Sequence, residues 1–229
     1  MKLHILAALG LGLIAAPVLA AESAGAALLK SQCMSCHALA KPESASLDRL
    51  WERKGPDLHY AGSKFNQPWL ERWLQNPVPI RPAGELYARH VKGTDKEDVV
   101  DGSGMTPHPK LSKADAEAVA AALMALTAPD LVDKGAFKGE KVSMTMGGMF
   151  FGKLRGCGAC HMAKPGSGGA SGAELYTAGE RLQADYIYSY IKNPQKFDPR
   201  IWMPTLGLAE PDLQRLTGYI LQLDAREGK

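Results

Sequence analysis

The chain is poor in aromatics. Its 229 residues include five Phe, seven Tyr and four Trp. For one large core, or two small ones of about 100 residues each, this supply implies that something other than side chains fills part of the interior. Charge of one sign is also missing. With 27 Lys+Arg and 24 Asp+Glu, the formal net charge is only +3, too little to argue for nucleic-acid binding. Beyond the first 20 residues no apolar run approaches the length of a membrane span. No segment reads as a convincing strand. With 45% hydrophobic and 22% charged residues, wholesale disorder and a collagen-like fibre are excluded.

The N-terminus carries the one long apolar run. Lys2 precedes an almost unbroken series of Leu, Ala, Gly and Ile from Ile5 to Val18. Val18-Leu19-Ala20 then offers small residues where a signal peptidase reads. Residues 1–21 are expected to be a secretory signal peptide, with the product exported to the periplasm and without a stable membrane span after cleavage.

Export would make disulfides the default for four Cys, but their spacing points elsewhere. Cys33-Met34-Ser35-Cys36-His37 and Cys157-Gly158-Ala159-Cys160-His161 are two copies of C-x-x-C-H and use every Cys in the chain. One such pentapeptide arises by chance in about two chains of this composition per thousand. Two thiols at this spacing can each form a thioether to a haem vinyl group, and the adjacent His then sits under the iron. A shared zinc site would place the two pairs close in sequence, whereas Cys33 and Cys157 lie 124 positions apart. A thioredoxin-like pair is read in a βαβ context, and neither segment is strand-like. Two covalently bound haem c groups are the cofactor expected.

The chain also repeats itself. Gly55 to Gly62 aligns with Gly172 to Gly179 at an offset of 117. Trp69, Leu70, Trp73, Leu74, Asn76 and Pro77 match Tyr186, Ile187, Tyr190, Ile191, Asn193 and Pro194 at the same offset. Bulky residues at i, i+1, i+4 and i+5 mark one face of a short helix, which Asn-Pro stops. A later helix follows in each copy. Ser112 with Asp115 reads as its N-cap pair, with Ala116, Val119, Ala120 and Leu123 as its buried face. In the second copy Pro211 suits a first turn, and Leu213, Leu216, Ile220 and Leu223 follow. Further helices are expected near 24–32 and 148–155, before the two motifs.

The order of C-x-x-C-H, a Gly-Pro or Gly-x loop, an aromatic helix, a Met-containing loop and a C-terminal amphipathic helix resembles a class I cytochrome c. Two such units behind a signal peptide resemble the bacterial periplasmic di-haem cytochromes c. The resemblance implies an all-α fold of two tandem haem-wrapping domains, residues 22–130 and 131–229, the first with an insertion at 78–104. It implies haem attachment through Cys33, Cys36, Cys157 and Cys160, and iron ligation by His37 and His161. It also implies a Met sulfur on each open face: Met105 in the first unit and Met203, in Trp202-Met203-Pro204, in the second. Thr106 separates Met105 from Pro107, and His108 and His90 share its loop; either His would give a bis-His haem of lower potential. In Gly55-Pro56 the resemblance implies a carbonyl that orients the proximal imidazole. The second unit has Gly172-Ala173, an asymmetry that implies two haems tuned differently.

The expected link between units, 127–142, is rich in Asp, Lys and Gly. Divided at Asp130, the mature units carry −1 and +3, a difference able to orient a docking partner. The insertion is expected to be a surface loop. The function implied is single-electron transfer between a donor dehydrogenase and an acceptor oxidase or reductase, without catalysis by the chain itself. The alternatives are a subunit of a larger dehydrogenase and a di-haem oxidoreductase acting on a small sulfur compound or peroxide. The residue above the first haem discriminates the enzyme from the carrier.

Overall fold

The computed structural model describes residues 24–44, 46–80, 90–95 and 98–224. The expected signal peptide lies outside them. The structure is mostly helical, with 45% helix and 6% strand. Among the described residues no helix is long and apolar enough to cross a membrane.

In the first half, α1 covers 24–33 and its last five residues, Leu29–Cys33, wind as a π-helix. There follow α2 (Leu47–Glu52), α3 (Ala61–Lys64), α4 (Gln67–Gln75), β1 (Val91–Gly93), β2 (Asp98–Val100) and α5 (Lys113–Met124). The second half contains α6 (Met144–Met149), which runs on into a π-helical turn at Phe150–Leu154, then β3 (Met162–Lys164) and β4 (Ser167–Gly168). It ends with α7 (Ala178–Arg181), α8 (Ala184–Lys192) and α9 (Glu210–Gln222). α3 and α4 match α7 and α8 residue for residue at the offset of 117.

The helices form where local chemistry directs them. The Ser112 hydroxyl oxygen accepts from the Asp115 backbone N–H at 3.1 Å and donates to the Asp115 carboxylate at 2.7 Å, capping α5. Its expected face of Ala116, Val119, Ala120 and Leu123 is buried. Leu213, Leu216 and Ile220 of α9 are buried too, behind Pro211 in the first turn. α4 and α8 both end at the Asn that precedes Pro.

Three apolar clusters hold these elements. One gathers Leu29, Leu58, Leu70, Leu74, Val119 and Leu123. Another gathers Phe150, Phe151, Ile187, Leu216, Tyr219 and Ile220. The third joins the two halves through Tyr60, Leu131, Val132, Tyr186 and Phe197. The link is therefore not a free tether. Leu131 and Val132 are buried, and the backbone N–H groups of Asp133, Gly135, Phe137 and Lys138 donate to side chains of Ser189, Asp185 and Gln214.

Two antiparallel hairpins depart from the strand-free expectation. β1 pairs with β2 inside the insertion, in register Val91↔Val100. β3 and β4 flank Pro165-Gly166, where Gly166 has φ 70°. Pro followed by a glycine of positive φ is the signature of a type II turn. Strands of two or three residues are too short to show alternation in a sequence.

Candidate functional site

Each C-x-x-C-H motif closes as one tight turn. The backbone N–H groups of Cys36 and His37 both donate to the Cys33 carbonyl, at 3.1 and 3.0 Å. Cys160 and His161 do the same to the Cys157 carbonyl, at 3.2 and 3.0 Å. The approaches differ. The first motif begins on the last residue of the α1 π-turn, whose closing bond runs from Met34 N–H to the Leu29 carbonyl. The second begins after Gly156, which adopts φ 68°, on a separate 3₁₀ turn at Cys157–Ala159. Such π-turns recur at functional sites.

Both histidines are oriented alike. His37 Nδ1 lies 2.7 Å from the Pro56 carbonyl oxygen, and His161 Nδ1 lies 2.6 Å from that of Ala173. A carbonyl oxygen only accepts, so Nδ1 carries the proton and Nε2 keeps its lone pair for a metal. The asymmetry expected from Pro56 and Ala173 does not extend to this bond, because the acceptor is backbone and either residue supplies it. What both loops share is glycine. A Cβ on Gly55 would come within 2.5 Å of the His37 ring, and one on Gly172 within 2.5 Å of the His161 ring. The absence of a side chain lets each loop lie flat on its imidazole.

All four thiols are free. Burial, with the neighbouring thiol adding to it, pushes Cys33 above the ordinary thiol range. Burial also pushes Cys157 up. An activated thiol has the opposite shift. The first Cys of each pair packs on the apolar cluster of its own half. The pairs do not converge: among the described residues no three His, Cys, Asp or Glu side chains gather in metal-binding range. Two thiols and one Nε2 on a single turn, twice over, are a donor set that fits a covalently attached haem.

The expected Met ligands stand on loops. Met203 is half-buried, and its carbonyl accepts from Gln195 Nε2 at 2.6 Å. Thr205 donates to Gln195 Oε1, so the Met203 loop is tied to the turn at Pro194–Lys196. Met105 is half-buried on a bend closed by its N–H to the Gly102 carbonyl at 3.1 Å. The ring that faces His37 belongs to His108, with centroids 6.3 Å apart. Trp73 packs edge-on against His108 at 4.6 Å. Burial pushes the His108 pKa down; its bond to Pro109 opposes this, and His37 adds to the lowering. His59 is half-buried edge-on to Tyr60. Met144 packs on the second cluster, whereas Met146 and Met149 are exposed.

The repeat placed Ala173 opposite Pro56, but sequence reasoning gave no signal for Trp73 as a neighbour of His108. That contact depends on the fold bringing the Met105–His108 loop back onto α4. Comparison with protein-family models, with curated proteins and with solved structures finds no match for this chain.

Proposed function

We propose that this chain is an exported di-haem c-type cytochrome, built as two class I cytochrome c units, that carries single electrons from a donor dehydrogenase to an acceptor oxidase or reductase. The observation that carries the reading is the duplicated turn: two C-x-x-C-H segments, each with its His Nδ1 on a loop carbonyl and a glycine against its ring. Thiol pairs at Cys33 and Cys36, and at Cys157 and Cys160, would hold the groups. His37 and His161 would bind iron through Nε2, and Met203 would serve the second site. Haem supplies reversible one-electron chemistry at iron.

The residues of this chain do the rest. The Pro56 and Ala173 carbonyls hold the Nδ1 protons and fix the imidazole planes, which sets their basicity as ligands. Residues 1–21, read as a secretory signal peptide, would direct the chain to the periplasm.

The test is the intact mass of the exported protein after acid-acetone extraction. The expected result is the mature chain plus two haems. A mass with one haem, or none, overturns the reading.

A further inference from the structure

We propose that His108 is the distal axial ligand of the first haem, opposite His37, so that the first iron is bis-histidine while the second is held by His161 and Met203. The inference rests on the di-haem reading above and concerns only which side chain closes the first iron.

Three observations converge on His108. Its ring lies 6.3 Å from the proximal ring between centroids, with the two planes inclined at 56°. Two imidazoles bound on opposite sides of one metal, with metal–nitrogen bonds of about 2 Å, place their ring centres about 6 Å apart. The second observation is the choice of nitrogen. Among the described residues three imidazoles set Nδ1 against a backbone carbonyl: His37 on Pro56, His161 on Ala173, and His108 on Pro109 at 3.0 Å. Two of these are the proximal ligands of the di-haem reading. The third shares their preparation, with Nδ1 engaged and Nε2 left as the metal-binding atom.

The third observation is anchorage. Trp73 of α4 lies against His108 at 4.6 Å. Three residues on, the Leu111 N–H donates to the Leu74 carbonyl at 3.0 Å. The segment is thereby pinned to the end of α4, and Ser112 begins the cap of α5. Met105 is set instead on a bend whose hydrogen bond, from its own N–H to the Gly102 carbonyl, ties it only to its own loop. A ligand on a segment pinned to a helix loses less conformational freedom on coordination than one on a bend held only within its own loop.

The second unit has no equivalent. His161 is the only His after residue 108, so its partner comes from another residue type, and Met203 stands on the braced loop. Methionine–histidine ligation raises the potential of a haem relative to bis-histidine. The first iron therefore has the lower potential, and the second holds the electron at equilibrium. The two units form an ordered relay with an entry and an exit.

The experiment uses the exported holoprotein. Its mass is taken first, then low-temperature electron paramagnetic resonance and near-infrared magnetic circular dichroism of the oxidised form. The expected result is one bis-histidine low-spin signal and one Met–iron charge-transfer band for two haems. His108→Ala is expected to lose the bis-histidine signal while retaining both haems by mass. Met105→Ala is expected to leave both signatures as they were. Two Met–iron bands in the unaltered protein, or loss of a band in Met105→Ala, overturns the proposal and leaves the di-haem reading intact. If His108→Ala does not accumulate, the band count and Met105→Ala decide between the ligands. A chain that carries no haem overturns the di-haem reading, and this proposal with it.

Discussion

At the scale of single residues, the two glycines beneath the histidine rings bear the most on the site. At each, the hydrogen atom of glycine occupies space in which a methyl group would lie 2.5 Å from imidazole carbon. Gly55→Ala and Gly172→Ala are therefore expected to push the loop off the ring and lengthen the Nδ1 to carbonyl bond. The cost of such overpacking is about 1–3 kcal/mol, read as a lower midpoint in denaturant unfolding. Gly104→Ala is the control, since nothing lies within 4 Å of the added carbon. Equal midpoints for Gly55→Ala and Gly104→Ala would remove the packing argument. The two C-x-x-C-H segments were legible in the sequence, because the spacing is a local pattern read without knowledge of the fold. The residue beside His37 was legible only as one of three candidates, with Met105 set ahead of His108 and His90. His108 stands 71 positions away, and only the pinning of its segment to α4 brings the two rings into register.

Among the elements, α8 and α9 are joined by a hydrogen bond from the Tyr188 hydroxyl to the Glu210 carboxylate, at the first turn of α9. Burial pushes the Tyr188 pKa up to about 12, with the bond to Glu210 and the charges of Glu210 and Asp133 adding to it. The same bond, with a smaller contribution from Gln214, holds Glu210 below the usual carboxylate range. The signs follow from linkage. For Tyr188 the stabilisation is whole below the ordinary tyrosine pKa of about 10 and is lost as pH rises towards 12. For Glu210 it is present above the ordinary carboxylate pKa and lost as pH falls through its lowered value. Tyr188→Phe is expected to lower the thermal midpoint at neutral pH and to flatten both limbs of the stability profile. An alkaline limb as steep as that of the unaltered protein would remove Tyr188 from it. Helices of this length were legible from caps and periodicity, as Ser112 and Asp115 illustrate. The hairpins were not, since Val91–Gly93 and Met162–Lys164 span too few residues for a period to show. The start of α6 at Met144 was also missed, because Met-Thr-Met-Gly-Gly-Met has neither a capping side chain nor a clean apolar stripe.

Over the whole molecule, the two repeats meet through their own equivalent residues. Phe65 bridges Leu182, its counterpart at the offset of 117. The Asn66 N–H donates to the Arg181 carbonyl at 2.8 Å, and the Gln183 N–H returns the bond to the Lys64 carbonyl at 2.9 Å. Their side chains repeat the exchange. Asn66 Nδ2 reaches the carbonyls of Gly179, Glu180 and Leu182, and Gln183 Nε2 reaches those of Gly62 and Phe65. A contact in which each residue meets its own mate is isologous, the mark of an approximate two-fold axis. Around it Tyr60 stacks on Tyr186, and the largely buried Arg53 pairs with Asp57 and Asp198 across the junction. The repeat was legible at the offset of 117, but a sequence alignment does not say whether repeats touch, or by which face. The reciprocity predicts a specific non-additivity. Asn66→Ala and Gln183→Ala each leave carbonyls without a donor, at about 1–3 kcal/mol for a buried group. Because the two side chains brace the same bridge, the first substitution loosens the geometry on which the second depends. A double-mutant cycle is expected to show coupling of about 0.5–3 kcal/mol. The double variant should also unfold in two separable steps where the unaltered chain unfolds in one, followed by circular dichroism in guanidinium. Additive losses within a single transition would mean that the two side chains brace their own halves and that the shared cluster of Tyr60, Tyr186 and Phe197 alone holds the repeats together.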